Sequence, residues 1–220
     1  MDCCKPDYDT VFTGKRAAKD LKRYRRKGPD ATTSLLIDSL KSAGVRGKTL
    51  LDIGGGIGVI DHELLAAGAD SAVHVEASEP FVRAASEEAG RRGTAARLQF
   101  RRGDFVTLAG EIDTADLVTL DRVICCYRDM EQLVTASAGR ARETYGVVIP
   151  RERRLTKVMA LGINLIFRIT RNPFRFYVHP PRSIDRVVER AGLSPAFVKD
   201  TLIWRVAVYH RRKADERRNV

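Results

Sequence analysis

Residues 49 to 76 constrain this chain more than any other stretch. They read Thr49-Leu-Leu-Asp-Ile-Gly-Gly-Gly-Ile-Gly58, then an amphipathic segment, then Ser71-Ala-Val-His-Val-Glu76. An apolar strand enters a glycine-rich turn, a helix returns the chain, and a second strand ends on a carboxylate. That order predicts a βαβ unit of the nucleotide-binding type. Gly54, Gly56 and Gly58 can take backbone angles closed to residues with a Cβ, and they let a ligand approach the main chain. Glu76 stands where an acid would grip the two hydroxyls of a ribose. The bland alternative is an ordinary tight strand–helix turn.

The dinucleotide fingerprint is Gly-x-Gly-x-x-Gly. Here Val59 occupies the place of its third glycine, so a nicotinamide dehydrogenase is the least favoured reading. Asp52-x-Gly-x-Gly-x-Gly instead resembles motif I of the class I S-adenosylmethionine-dependent methyltransferases. The resemblance implies that Asp52, Gly54, Gly55, Gly56 and Gly58 lie under the methionine part of S-adenosyl-L-methionine. It implies that Glu76, with Ala77 next to it, holds the ribose. Gly103-Asp104-Phe105 resembles the family's adenine site: Asp104 would accept the adenine amino group and the Phe105 backbone would meet a ring nitrogen. An aspartate-capped turn is the alternative there. Asp121, at the end of the fourth strand, completes the cofactor-binding set.

At 220 residues, with 44% hydrophobic and 30% charged content, the chain reads as one soluble globular domain. The net charge of +11 suits an anionic substrate, RNA or an acidic membrane face, and equally a solvated surface. The four cysteines form two adjacent pairs, Cys3-Cys4 and Cys125-Cys126. With no secretory h-region at the start, a reduced cytoplasmic setting is expected. Cys-Cys is not zinc spacing, and no metal is expected. A thiolate site would need the two pairs to meet; otherwise they are small hydrophobes.

Taken in order, residues 1–45 form an N-terminal helical cap. Residues 1 to 14 look irregular. Lys15 to Lys27 is a basic helix, eight of thirteen residues being Lys or Arg, with Ala17, Leu21 and Tyr24 as its apolar stripe. A second helix follows, about Thr32 to Ala43, with Leu35, Leu36, Leu40 and Ala43 inward. Residues 46–150 form the cofactor-binding core: strands Thr49–Ile53, Ala72–Glu76, Arg97–Arg101, Thr114–Asp121 and Tyr145–Ile149, alternating with helices. The last of these helices opens on the Asp129-x-x-Gln132 capping box and reaches about Arg142. Residues 151–182 are a lid or insertion. Within it Leu155 to Ile169 is apolar on most faces but shorter than the roughly 20 residues of a membrane span. It reads as a lid, a buried helix or an interfacial helix on lipid. Phe174 to His179 alternates as a strand does, with Phe174, Phe176 and Val178 on one side. Residues 183–212 supply a closing helix and a hairpin, and 213–220 a charged tail.

The expected fold is therefore α/β and Rossmann-like: a seven-stranded, mostly parallel sheet with an antiparallel last strand, N-terminal helices and a helical insertion after strand five. Leu120-Asp-Arg-Val-Ile-Cys-Cys-Tyr127, the insertion with Asn164, and Val178-His-Pro-Pro181 look like bacterial proteins grouped with magnesium-protoporphyrin IX O-methyltransferases. Those methylate a propionate carboxylate of a large, flat, apolar ring. Cys126 stands where they tend to carry a histidine. The Asn/Asp-Pro-Pro-Tyr loop of amino-methylating enzymes is missing after strand four.

These features imply a methyltransferase acting on a small, largely apolar molecule, with O-methylation of a carboxylate or hydroxyl. Tyr127, Cys126 and His179 are the candidates to orient or deprotonate the acceptor, each with plain packing as its alternative. Arg122, Arg175 or Arg182 would receive an anionic one. Two other readings stay open: a basic RNA- or membrane-binding module with a vestigial cofactor fold, and thiol or metalloid methylation through the paired cysteines. Nucleic acid is the less favoured partner, transient membrane-surface contact is allowed, and the sequence does not set the oligomeric state.

Overall fold

The computed structural model describes residues 8–212. Cys3, Cys4 and the charged tail from 213 lie outside them. In chain order the elements are α1 (Gly14–Lys27), α2 (Ala31–Ala43), β1 (Thr49–Ile53), α3 (Val59–Ala66), β2 (Ser71–Glu76), α4 (Glu79–Arg92), β3 (Leu98–Arg102), α5 (Phe105–Leu108), β4 (Ala115–Asp121), α6 (Met130–Ala138), β5 (Ala141–Pro150), α7 (Arg154–Ile169), α8 (Pro181–Arg190), β6 (Leu193–Asp200) and β7 (Trp204–Arg211).

The seven strands form one sheet in the order β3-β2-β1-β4-β5-β7-β6. Only β7 runs against its neighbours, pairing antiparallel with β5 and β6. The order reverses between β1 and β4, and in open α/β sheets ligands bind beyond the strand carboxyl ends at such a point. Each face of the sheet carries its own core. Leu51, Ile53, Val118, Leu120 and Val147 pack against α6 and α8 through Leu133, Val134, Ile184 and Val188. Leu50, Leu117, Val148 and Val206 pack against α2 and α3 through Leu36, Leu40, Leu64 and Leu65. Gly146 lets α2 come this close: a Cβ there would lie 2.7 Å from Leu36 Cδ1.

The basic first helix behaves as its periodicity requires. Ala17, Leu21 and Tyr24 are all buried, against Ile57, Phe81 and Ala84. Its charge is anchored as well. The Arg25 guanidinium donates to Glu88 Oε2 at 2.8 Å, and Glu88 also accepts from Arg91 and Arg92. These three cations hold the buried Glu88 carboxyl far below the usual carboxylate range, Arg91 contributing most.

The largest differences from the strand and helix bounds of the sequence reading lie around residue 140. α6 stops at Ala138 rather than near Arg142, and β5 starts at Ala141 rather than Tyr145. Ala141 pairs with Ala115 of β4, and the Arg142 guanidinium reaches Asp116 Oδ1 at 2.9 Å. Sheet pairing outweighs helix propensity here. The segment 174–179 is not a strand. Its ladder partner is one side chain: Asn164 of α7 donates to the Phe176 carbonyl and accepts from the Phe176 amide, both at 2.8 Å. Tyr177 N–H donates to the Cys125 carbonyl at 2.7 Å.

Replacing Glu88 with Gln should destabilise the fold by roughly 1–3 kcal/mol at pH 7. A depressed folded-state pKa stabilises above the unfolded value of about 4.3 and loses that contribution as pH falls. The wild-type advantage over E88Q in urea melts should therefore shrink below about pH 4. A constant gap across pH would contradict the assignment.

Candidate active site

The glycine-rich turn follows β1 where it leaves the sheet. Gly54 and Gly56 have φ of 64° and 60°, in the left-handed region. There is no room for side chains as well: a Cβ on Gly54 would lie 2.5 Å from Val123, and one on Gly55 2.5 Å from the His74 ring. The end of β2 holds this turn. The Gly56 N–H donates to Glu76 Oε2 at 3.0 Å, and the Ser78 N–H donates to Oε1 at 2.8 Å. Each oxygen keeps acceptor capacity beyond its backbone bond. Gly58 sits behind the turn as the left-handed N-cap of α3.

After β3, Asp104 caps α5 by accepting from Val106 N–H at 2.8 Å. The same Oδ1 accepts from the Tyr127 hydroxyl at 3.1 Å. Burial first, and then the Asp104 carboxylate, push the Tyr127 phenol far above its ordinary value. Tyr8 is raised by the same two causes. Both phenols are held in their protonated form, and Tyr127 donates to Asp104, so Tyr127 is not a base in this setting.

The Cys125 and Cys126 thiols both donate to the Arg122 carbonyl, at 3.2 and 3.7 Å. Its contact with Cys126 and its burial hold the Cys125 thiol well above the ordinary range. A protonated thiol is a poor metal ligand and a poor nucleophile. His179 lies behind Tyr127, with Nε2–H donating to the Tyr127 carbonyl at 2.8 Å.

Asp121 and Arg122 close the far side. Arg122 is a non-glycine residue at φ 62°, and Nε and Nη2 of its guanidinium are engaged. It pairs with Asp121 Oδ1 at 2.8 Å and Asp30 Oδ2 at 2.6 Å, donates to the Thr33 hydroxyl, and lies over the Trp204 ring. Its Nη1 carries no hydrogen bond among the described residues, so the cation that the sequence offered to an anionic substrate lines the cavity with most of its donors committed to the protein's own acceptors. Arg175 is spent on the carbonyls of Asn172 and Phe174, and Arg182 is not on the cavity wall.

These parts surround one cavity of about 650 Å³. Asp52, Gly54, Gly55, Gly56, Glu76, Ala77, Phe105, Asp121, Cys126 and Tyr127 line it; Gly58, Asp104 and His179 are next to lining residues but not among them. The remaining wall was not foreseen. Much of it is aromatic (Tyr8 and Phe12 ahead of α1, Phe81 on α4, Phe167 on α7, Phe174 and Phe176 after it, and Trp204 opening β7), and α1 and the turn before α2 add Arg16, Asp20, Arg23 and Asp30. Phe12 meets Phe81 and Phe174 edge to face at 5.7 and 5.8 Å. The foreshadowing lay in the aromatics of the irregular first 14 residues and of the alternating run from Phe174 to His179.

Residues 51–143 match the family described as a methyltransferase domain. Residues 51–143 thus carry an S-adenosylmethionine-dependent methyltransferase domain. No curated protein matches it by sequence. Among solved structures, it resembles magnesium protoporphyrin IX methyltransferase from Synechocystis PCC 6803, crystallised with bound SAH. The two are 19% identical with a TM-score of 0.69, over 93% of this chain and 100% of that one. An O-methyltransferase family protein from Burkholderia thailandensis gives 17% and 0.72, over 97% and 66%. Human N-acetylserotonin methyltransferase, solved with SAM, gives 16% and 0.63, over 94% and 59%. At these identities the likeness shows the fold.

Beneath the loop the methyltransferase domain buries a polar floor. Register places Asp52 of β1 between His74 of β2 and Thr119 of β4. Thr119 Oγ1 donates to Asp52 Oδ1 at 2.6 Å, and His74 Nδ1 meets Asp61 Oδ2 of α3 at 2.7 Å. Asp52 Oδ2, Asp61 Oδ1 and His74 Nε2 have no partner among the described residues. One ligand atom from each of Asp52, Asp61 and His74 lies within 4.8 Å of the others, close enough for a metal group, and all three residues are buried. Burial, then the Asp61 charge, raise the Asp52 carboxyl well above its usual range. The folded state thus binds the extra proton, and Asp52 subtracts stability as pH rises from about 3.9 toward its folded value.

A neutral Asp52 predicts that D52N, which keeps the shape, shifts the melting temperature by no more than about 2–4 °C at pH 7. EDTA should leave that temperature unchanged. A loss of about 3–5 kcal/mol would show instead that a buried charge or a bound metal had lost its partner.

Proposed function

We propose that this methyltransferase acts on a small, largely apolar molecule and methylates oxygen, with a carboxylate as the acceptor group. The observation that carries this reading is the continuity of the cavity. One part is glycine backbone with the Glu76 carboxylate; another is a set of phenyl and indole rings, with Arg16, Arg23 and Arg122 on the same cavity. A nucleoside suits the first part and an apolar acceptor suits the second.

The residues fit S-adenosylmethionine. Glu76 offers oxygens to a ribose diol, with the strap from Gly56 holding it at the turn. The crowding at Gly54 and Gly55 keeps the cradle free of side chains. Asp104 keeps Oδ2 for an adenine amino group, since both of its bonds fall on Oδ1. Bound cofactor supplies an activated methyl, whose transfer to a carboxylate oxygen leaves a neutral thioether and a methyl ester.

The side chains around the acceptor end suit a nucleophile that needs no base. Neither histidine nor lysine is among the cavity's lining residues. The Tyr8 and Tyr127 phenols are held protonated, and Asp121 is tied to Arg122 and Thr33. A hydroxyl acceptor would find no free base there, whereas a carboxylate arrives already ionised. We assign Tyr127 to orienting the acceptor, Cys126 to the wall beside it, and His179 to positioning Tyr127 through its carbonyl. Exclusion of water falls to the aromatic wall and α7.

Two measurements test this. In calorimetry, E76Q should weaken S-adenosylmethionine binding about 10- to 100-fold, the equivalent of one or two hydrogen bonds to a charged group; equal affinity would remove Glu76 from the site. Incubation with methyl-labelled cofactor and apolar carboxylic acids should yield label that mild alkali releases as methanol. Label that survives alkali would mean ether or amine methylation.

A further inference from the structure

Helix α7 is apolar on two opposite faces. The inner one buries Thr156 and Ala160 and gives Ile163 and Phe167 to the cavity wall. The outer one presents Leu155, Val158, Leu161, Leu165, Ile166 and Ile169, each 50–72% exposed. At 1.5 Å per residue, such a helix is about 24 Å long and cannot span the roughly 30 Å hydrocarbon core of a bilayer. No helix among the described residues is long and apolar enough to do so.

The charge around this stripe is one-sided. Residues 151–175 include seven basic side chains and one acidic. Arg151 pairs with Asp200 and Lys157 with Glu152. Arg153, Arg154, Arg168 and Arg171 form no ion pair among the described residues. Two of them stand at the helix N-terminus, where Arg153 gives no side-chain cap and the first turn holds no acid. Cations there oppose the helix dipole, so that end lacks an anion twice over.

We propose that the outer face of α7 docks on an anionic lipid surface, its aliphatic stripe in the acyl boundary and its arginines on phosphate headgroups. A second copy of the chain fits less well. Both ends of the helix are basic, so two-fold pairing in either sense sets like charges together. The docking stands apart from the proposed reaction. One consequence rests on that reaction: the inner face of the same helix walls the cavity, so a seated α7 lets an apolar acceptor enter from the bilayer.

Flotation of the full chain with vesicles of equimolar phosphatidylcholine and phosphatidylglycerol, beside pure phosphatidylcholine, tests this. Binding should need the anionic lipid and weaken in high salt. The Leu161→Gln/Ile166→Gln variant, altered only at exposed positions, should lose about tenfold or more in partition. Its melting temperature and S-adenosylmethionine affinity should match wild type, so failed docking and failed cofactor binding can be told apart. No flotation of wild type at low salt, or equal flotation of the variant, would overturn the proposal. So would self-association that the variant abolishes and vesicles do not displace.

Discussion

The strap between the Glu76 carboxylate and the Gly56 amide is what the rest of the site depends on. It joins the end of β2 to the turn after β1, and its other oxygen takes the Ser78 amide where α4 begins. One side chain thus fixes the two βα junctions that face each other across the cavity. A turn of consecutive glycines is entropically costly to order. Here that cost is offset by two charge-assisted hydrogen bonds. It is also offset by the Gly54 and Gly55 amides, which both donate to the Val75 carbonyl. The same acid that would meet the ligand holds the loop ready for it, which is preorganisation in a concrete form.

Below this loop the sheet gives up part of its apolar core. Asp52, Asp61, His62 and His74 fill positions where Leu or Val would pack without penalty, and several of their polar atoms lack protein partners. Such burial is expensive unless protons or charges are shared. The raised Asp52 carboxyl shows one form of relief: burial and the nearby Asp61 carboxyl favour its neutral form. The glycine at 55 belongs to the same arrangement. A Cβ there would collide with the His74 ring and reach 2.8 Å from Asp52 Oδ2, so the turn and the floor constrain each other.

Much of this was legible in the residues because it is local. The strand–glycine–helix–strand order, the acid at 76 and the stripe of Ala17, Leu21 and Tyr24 follow from short-range period and turn chemistry. What escaped is what the chain brings together from afar. Asn164 standing in as a strand for Phe176 cannot be read from alternation, and the alternation misled. The pairing of Ala141 with Ala115 cut a helix short that its own propensities would have extended. Tyr8, Phe12 and Trp204 are far apart in sequence and become one wall only when the sheet closes. Arg122 looked like a free cation next to the acceptor; only the fold brings Asp30 within 2.6 Å of it.

The central claim is that the nucleoside lies across the turn with its sugar on Glu76. A crystal structure with S-adenosylhomocysteine tests it most directly. The account predicts both ribose hydroxyls on the Glu76 oxygens, the thioether above Gly54–Gly56 and the adenine beside Phe105. A nucleoside bound elsewhere, or a Glu76 carboxylate pointing away from the sugar, would contradict it.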